Sequence, residues 1–270
     1  MKNCIIISAS SDIGIDLCKS WSEKGWNLFG TFRKKTKQVI DLTKIYNVKL
    51  FNLDISEKQS IQTFFKKLSN SIDSWDVLVF CTGTMNPIGD FQNTDFDQWE
   101  KSIHINFINQ LRILNLLLPS RNKNILFPTV LFFAGGGTNN AVINYSSYII
   151  SKIALTKMCE LLDAEIPDVR FNIVGPGWVK TKIHNETINS DISKNSDNYN
   201  KTLEKFKNND FVDVKKVIEC CTWLVSCKSK AINGRNFSVE FDKWGDNKLL
   251  QELEKDKDMY KLRRHNNNWK

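Results

Sequence analysis

The sequence predicts an α/β protein, a doubly wound parallel sheet in three layers with helices on both faces. Three observations carry this. Short continuous apolar runs, such as those over 75–80 and 129–133, have the pattern of parallel strands buried on both faces. They alternate along the chain with amphipathic segments of helical period. The first run leads through Ser8-Ala9-Ser10-Ser11-Asp12-Ile13-Gly14 into such a segment. Strand, small-residue turn and helix together are the geometry in which backbone amides and a helix N-terminus hold phosphate.

Composition bounds the rest. A chain of 270 residues suits one large α/β domain, and 41% hydrophobic with 25% charged residues is ordinary for a globular protein. The longest apolar neighbourhood, 111–118, is broken by Arg112 and Asn115, so no membrane span is expected. The apolar run after Met1 is too short for a signal peptide. Seven cysteines are scattered without metal-ligand spacing. They predict no metal site and read as buried thiols in a reducing, cytoplasmic compartment. The net charge of +8 is spread over many segments, the densest run being Lys261-Leu262-Arg263-Arg264-His265. That spread favours solubility and a small anionic ligand over nucleic acid.

In order, residues 3–8 read as a buried strand, and the following helix runs through Leu17, Cys18 and Trp21 to Gly25. A second strand over 26–32 ends in Arg33 and Lys34, a third covers 48–53 before Asp54 and Ile55, and a helix covers 57–70. The strand over 75–80 ends in Cys81-Thr82-Gly83. One long helix is expected from Phe96 to Leu118, stopped by Pro119, with Asn106 inside it. The strand over 129–133 leads to Ala134-Gly135-Gly136-Gly137-Thr138. After a helix carrying Tyr148 and Lys152 come a strand over 169–174, a helix over 214–225 and a last strand before Val239. Residues 182–211 are rich in Asn, Ser, Lys and Asp, the composition of a mobile element. Residues 1–241 form one domain, and 242–270 a charged tail packing on the body or on a neighbouring subunit.

Tyr148 and Lys152 are the chemical centre. Residues four apart lie on one helix face, so the hydroxyl and the ammonium can reach one small volume. A phenol, with an ordinary pKa of about 10, is drawn toward the working range by a nearby cation.

The ordered series of motifs resembles the short-chain dehydrogenase/reductase family, over roughly residues 3–241. The resemblance implies a Rossmann-type fold binding NAD(P). Its glycine-rich turn would be Ser8 to Gly14, with Ser8 and Asp12 standing at two glycine positions and only Gly14 kept. Ser8, Ser10, Ser11, Asp12, Ile13 and Gly14 would then lie against the diphosphate, Asp54 and Ile55 against the adenine, and Cys81 and Gly83 near the cofactor's middle. Cys81 reads as a small buried residue, not a nucleophile. NAD-selective relatives carry an acid at the end of the second strand. Here Arg33 and Lys34 stand there and suit a 2′-phosphate, which favours NADP(H) over NAD(H). Gly175-Pro176-Gly177-Trp178-Val179-Lys180-Thr181 matches the family's Pro-Gly-x-x-x-Thr segment. It puts Pro176, Gly177 and Thr181 at the nicotinamide and makes 182–211 the substrate lid. Tyr148 would exchange a proton with the substrate, Lys152 would hold the ribose and lower the Tyr148 pKa, and Asn106 would place a relay water from a local helix distortion. The family's serine thirteen residues before the tyrosine is absent, because Gly135 stands there.

The function implied is an NADP(H)-dependent oxidoreductase interconverting a carbonyl and an alcohol. The Gly-Gly-Gly loop and the Trp244-containing tail resemble members acting on sugars or nucleotide-sugars of surface polysaccharide. A homodimer or homotetramer is usual for the family. The missing serine and eroded glycine turn keep open a different class, a dinucleotide-binding sensor or scaffold without turnover.

Overall fold

The apolar runs pair into a single seven-stranded sheet. In the computed structural model, which describes residues 1–191 and 196–265, the strands are β1 (Asn3–Ile7), β2 (Asn27–Phe32), β3 (Lys49–Asn52), β4 (Val77–Phe80), β5 (Thr129–Phe133), β6 (Arg170–Gly175) and β7 (Arg235–Ser238). Their order is β3-β2-β1-β4-β5-β6-β7, and every pair is parallel. The chain winds outward from β1 to β3, then crosses back to β4 beside β1. The loops after β1 and β4 therefore diverge, opening the crevice at the carboxyl ends where ligands bind in such sheets.

Alternation along each strand sorts side chains into two cores. Ile5 and Ile7 of β1, Leu78 and Phe80 of β4 and Val130 and Phe132 of β5 face one way. There they meet α3 (Lys58–Ser69), α5 (Asn109–Leu117) and α6 (Ser146–Glu165). Cys4, Ile6, Val77, Val79, Leu131 and Phe133 face the other way, against α1 (Asp12–Glu23) and α9 (Val214–Ser226). Each fully buried Phe or Ile contributes on the order of 1.5–3 kcal/mol. The tail joins the second core: α10 (Asn247–Lys255) buries Leu249 and Leu253, and Arg235 donates to the carbonyls of Leu253 and Asp256.

Three departures from the sequence reading have local causes. The helix expected over 96–118 is interrupted: α4 (Phe96–Ile103) and α5 flank a π turn at His104–Ile108 that holds Asn106. A helix between β2 and β3, α2 (Lys37–Lys44), was not anticipated, because only Val39 and Leu42 of its eight residues are buried. The polar segment after Thr181 contains α7 (His184–Ile188) and α8 (Asp197–Asn208), the second capped by Ser196 and closed by Asn209 in the left-handed conformation. Positions 192–195 of the lid segment and 266–270 of the tail lie outside the described residues.

Candidate active site

The turn after β1 shows how a glycine-poor sequence keeps a phosphate-turn shape. Ser8 sits at φ 61°, the left-handed region a glycine would occupy without strain. Its amide donates to Thr31 Oγ1 at 2.8 Å, and its hydroxyl is 2.8 Å from Thr82 Oγ1. These bonds hold a conformation that disfavours a side chain by about 1–2 kcal/mol. Ser11 caps α1 by accepting from the Gly14 amide at 3.1 Å. A Cβ on Gly14 would lie 2.6 Å from Ser8 O and 2.9 Å from Ala9 Cα, so this glycine is sterically required.

Asp12, at a family glycine position, reaches across the cleft. Its Oδ2 accepts from the Lys182 amide at 2.6 Å, and its Oδ1 is 3.3 Å from Lys182 Nζ. Arg33 lines the same crevice and is exposed, whereas Lys34 is exposed and off the lining. Asp54 accepts from the Ser56 amide at 2.9 Å and hydroxyl at 2.7 Å. Burial alone would raise this carboxyl, but those two bonds and the Arg33 charge outweigh burial and lower it.

At the end of β4, burial pushes the Cys81 thiol up to about 12 against the opposing pull of Ser11 and Lys152, so it is inert as a nucleophile. Gly83 is flanked by Lys152 and Asn106: a Cβ there would lie 3.8 Å from Lys152 Nζ and 3.9 Å from Asn106 Oδ1. Asn106 is fully buried and points its amide at the loop after β4. Its Oδ1 accepts from the Thr84 amide at 2.9 Å, and its Nδ2 donates to Thr84 O at 2.9 Å and to Ser102 Oγ at 3.1 Å. Its carbonyl accepts from Gln110 Nε2 at 2.8 Å.

The first two turns of α6 hold Tyr148 and Lys152. Lys152 is 4% exposed and donates to Phe133 O at 3.1 Å and Thr82 O at 3.3 Å, tying together the ends of β4 and β5. Burial pulls its pKa down to about 8, which leaves it a cation at neutral pH. Its Nζ lies 5.8 Å from the Tyr148 ring centroid. Burial pushes the Tyr148 phenol up to about 12, and the Glu186 carboxylate adds to the rise. The lowering by Lys152 that the sequence led one to expect is not among the influences on this phenol, which burial and Glu186 both raise. At Gly135 the Tyr148 ring fills the space a side chain would need: a Cβ there would lie 2.7 Å from both Cε1 and the hydroxyl oxygen of Tyr148.

The segment after Thr181 contributes Glu186. Its Oε2 accepts from Met85 N at 2.6 Å, Thr84 Oγ1 at 3.0 Å and Asn86 N at 3.1 Å, latching α7 to the loop after β4. Tyr145 OH donates to Thr187 Oγ1 at 3.1 Å, a second tie. His184 is stacked on Trp178 with ring centroids 5.1 Å apart and bonds Val179 O at 3.0 Å.

These groups surround one cavity of about 830 Å³. Every residue expected from the sequence lines it except Gly14, which packs behind the turn, the exposed Lys34, and Asn106, which acts through Thr84. Sequence reasoning missed Glu186, Lys182, Thr84 and Tyr145. Lys182 directly follows the Thr181 motif and was discoverable as its neighbour. Glu186 lies in a polar stretch whose composition carries no positional signal.

The parallel sheet, the crevice and the tyrosine–lysine pair define a dinucleotide-type oxidoreductase scaffold. A family model described as Enoyl-(Acyl carrier protein) reductase matches residues 7–241, and the chain belongs to the short-chain dehydrogenase/reductase family. It is an oxidoreductase of the class acting on CH–OH groups. Among curated relatives, a benzil reductase ((S)-benzoin forming), IRC24 of Saccharomyces cerevisiae, is 24% identical over 68% of this chain and 74% of its own. The first three curated matches span 61%, 78% and 74% of those relatives' lengths. The short-chain dehydrogenase/reductase YIR035C of Saccharomyces cerevisiae superposes with a TM-score of 0.79 at 21% identity, covering 94% of this chain and 99% of that one. An actinorhodin polyketide ketoreductase solved with NADPH gives a TM-score of 0.76 at 18% identity, covering 88% and 95%.

Proposed function

We propose that the protein is an NADP(H)-dependent carbonyl reductase in which Tyr148 delivers the proton. The observation that carries this is the placement of a half-buried Tyr148 on the cavity wall beside Lys152, whose Nζ lies 5.8 Å from the Tyr148 ring centroid. A phenol is protonated at neutral pH and can donate that proton to the alkoxide that forms when a carbonyl is reduced. Lys152, itself buried, places its charge where it acts on a developing phenolate.

The residues present fit a nicotinamide dinucleotide. The Ser8–Gly14 turn leads into the N-terminus of α1, and a Cβ on Gly14 would push the turn's own Ser8 O and Ala9 Cα out of place. Arg33 stands on the rim without an ion pair among the described residues and suits the 2′-phosphate that separates NADP(H) from NAD(H). Ser10, Ser11 and Ile13 would border the diphosphate, Asp54 and Ile55 the adenine, and Pro176, Gly177 and Thr181 the nicotinamide. When bound, that group supplies the hydride. Asn106 fixes the Thr84 loop and is proposed to anchor the proton relay behind Tyr148.

The substrate is proposed to be a polar carbonyl compound, a sugar or nucleotide-sugar being the finer reading. Thr138, Asn139, Asn140, Asn198 and Glu186 on the cavity wall support it, and the Glu186 carboxylate disfavours anionic groups placed beside it. A homodimer or homotetramer is supported by Ile150 and Leu161, which are exposed on one face of α6. A cytoplasmic location is in keeping with seven free cysteines. A second reading, dinucleotide binding without turnover, rests on Gly135 and on Ser8 and Asp12 in the turn after β1.

The test is a turnover screen of sugar, nucleotide-sugar, diketone and simple ketone carbonyls with NADPH and NADH. Reduction of polar carbonyls, at least tenfold faster with NADPH, is expected. Reaction of apolar ketones alone removes the sugar reading, and equal use of NADH removes the Arg33 assignment.

A further inference from the structure

Asp12 presents a problem that the rest of the turn does not. It is the first residue of α1, where the helix dipole and free amides attract an anion, yet it brings a carboxylate to that place. The structure also shows what answers the charge. Lys182, 170 residues away, donates its amide to Asp12 Oδ2 at 2.6 Å and sets its ammonium 3.3 Å from Asp12 Oδ1. The same ammonium donates to Gln38 Oε1 at 3.1 Å, in the first turn of α2. One side chain at the root of the lid thus bridges the phosphate turn and the helix that follows Arg33. Asp12, Lys182 and Arg33 all line the same cavity.

We infer that Lys182 is a cofactor-clamping residue: it neutralises Asp12 at the diphosphate position and closes the lid root over the bound dinucleotide. This rests on the dinucleotide reading above. Two consequences separate it from a surface ion pair. The carboxylate of Asp12 opposes a dinucleotide diphosphate only when Lys182 is missing, so removing both charges undoes most of the harm of removing one. The effect also falls on the diphosphate, common to NADPH and NADH, whereas Arg33 acts on the 2′-phosphate of NADPH alone.

The experiment is a fluorescence titration with NADPH and with NADH, plus stopped-flow dissociation, on the wild type and four variants. Lys182→Met is expected to weaken both dinucleotides about tenfold and to speed their release, with the effect shrinking at high salt. Lys182→Arg, which keeps the charge, is expected to bind within about twofold of wild type, and Asp12→Asn/Lys182→Met to recover most of the lost affinity. Arg33→Gln is expected to weaken NADPH only. Unchanged affinity and release rate in Lys182→Met overturn the clamp, as does a double variant no better than the single. A loss confined to NADPH overturns it too, moving Lys182 to the 2′-phosphate. A wild type that binds neither dinucleotide overturns the proposed function and the clamp together, an outcome distinct from a wild type that binds and a variant that does not differ.

Discussion

The loops that follow β1 and β5 both depart from the family pattern, in opposite directions. After β1, Ser8 and Asp12 stand where the sequence resemblance expects glycines; after β5, Gly135 stands where it expects a serine. In the first loop the added side chains take over backbone work. Ser8 holds a left-handed conformation through Thr31 and Thr82, Ser11 caps the helix, and Asp12 ties down the lid root. The turn keeps its shape. In the second loop the lost side chain leaves room that the Tyr148 ring has taken. A backbone conformation can be retained by new hydrogen bonds. At Gly135 the space a side chain would need is held by the Tyr148 ring.

That contrast is broken most severely at the one glycine the first loop has kept. Gly14→Val sets a side chain against Ser8 O and Ala9 Cα, and overpacking against backbone costs about 1–3 kcal/mol before the turn distorts. The expected result is NADPH binding weakened by about 100-fold, read by fluorescence; retained binding would mean that the turn is not the phosphate cradle.

A second effect sharpens the other side. If the repacked loop were merely short of a hydroxyl, Gly135→Ser would raise turnover, since one such donor is worth about 10²–10³ in rate. The 2.7 Å approach of Tyr148 predicts the reverse. The variant should turn over about tenfold more slowly, with Tyr148 displaced. Faster turnover would show that the space is available and that the family arrangement persists.

The sheet that carries both loops sets a third expectation, in stability. Burial raises the thiols of Cys4, Cys18, Cys81, Cys159, Cys220 and Cys221 above their ordinary 9.0. A group whose folded pKa is raised stabilises fully below its unfolded value and loses that contribution as pH climbs toward the folded one. Stability should therefore fall as pH rises above 9.0, and Tyr148, raised from 10.0 to about 12, adds to the loss above 10.0. Lys152 acts oppositely, because its folded pKa is lowered from 10.5 to about 8 and stability grows with pH between those values. Lys2 and Lys261, also lowered by burial, act as Lys152 does, but three amines against six thiols and Tyr148 leave the net slope negative above pH 9.0. Thermal unfolding followed at successive pH values checks it, and a Tm flat or rising through that window would mean that the thiols reach solvent in the folded state.

The smallest effect returns to the first loop. Ser8→Gly relieves the left-handed strain, about 1–2 kcal/mol, and gives up the bond to Thr82. The two nearly cancel, so Tm and NADPH affinity should stay near those of wild type. A marked gain in affinity would mean that Ser8 does obstruct the diphosphate.

The two loops also show how far the sequence could be read. Continuous apolar runs marked the central strands β1, β4 and β5, because parallel strands buried on both faces need them, whereas edge strands such as β3 (Lys49–Asn52) and β7 (Arg235–Ser238) carry polar residues. Tyr148 and Lys152 were visible because four residues is a helical spacing, and Arg33 because a strand end in this sheet type points at the crevice. The π turn around His104–Ile108 was invisible to periodicity; only the resemblance pointed to a distortion there. Glu186 could not be found, because its role depends on α7 meeting the backbone amides of Met85 and Asn86, about a hundred residues earlier in the chain. Nor could composition reveal that Gly135 lies against Tyr148 rather than leaving an open pocket. What escaped is contact between distant loops, where the substrate side of the cleft is made.

The central claim is that Tyr148 transfers the proton in a dinucleotide-dependent reduction. The direct measurement is NADPH affinity and carbonyl turnover for wild type and Tyr148→Phe under identical conditions. The account predicts affinity within about twofold of wild type and turnover reduced by about 10³-fold or more. Equal turnover in the two proteins would contradict it, since the proton would then come from another group and the chemistry would have to be sought outside the Tyr148–Lys152 pair.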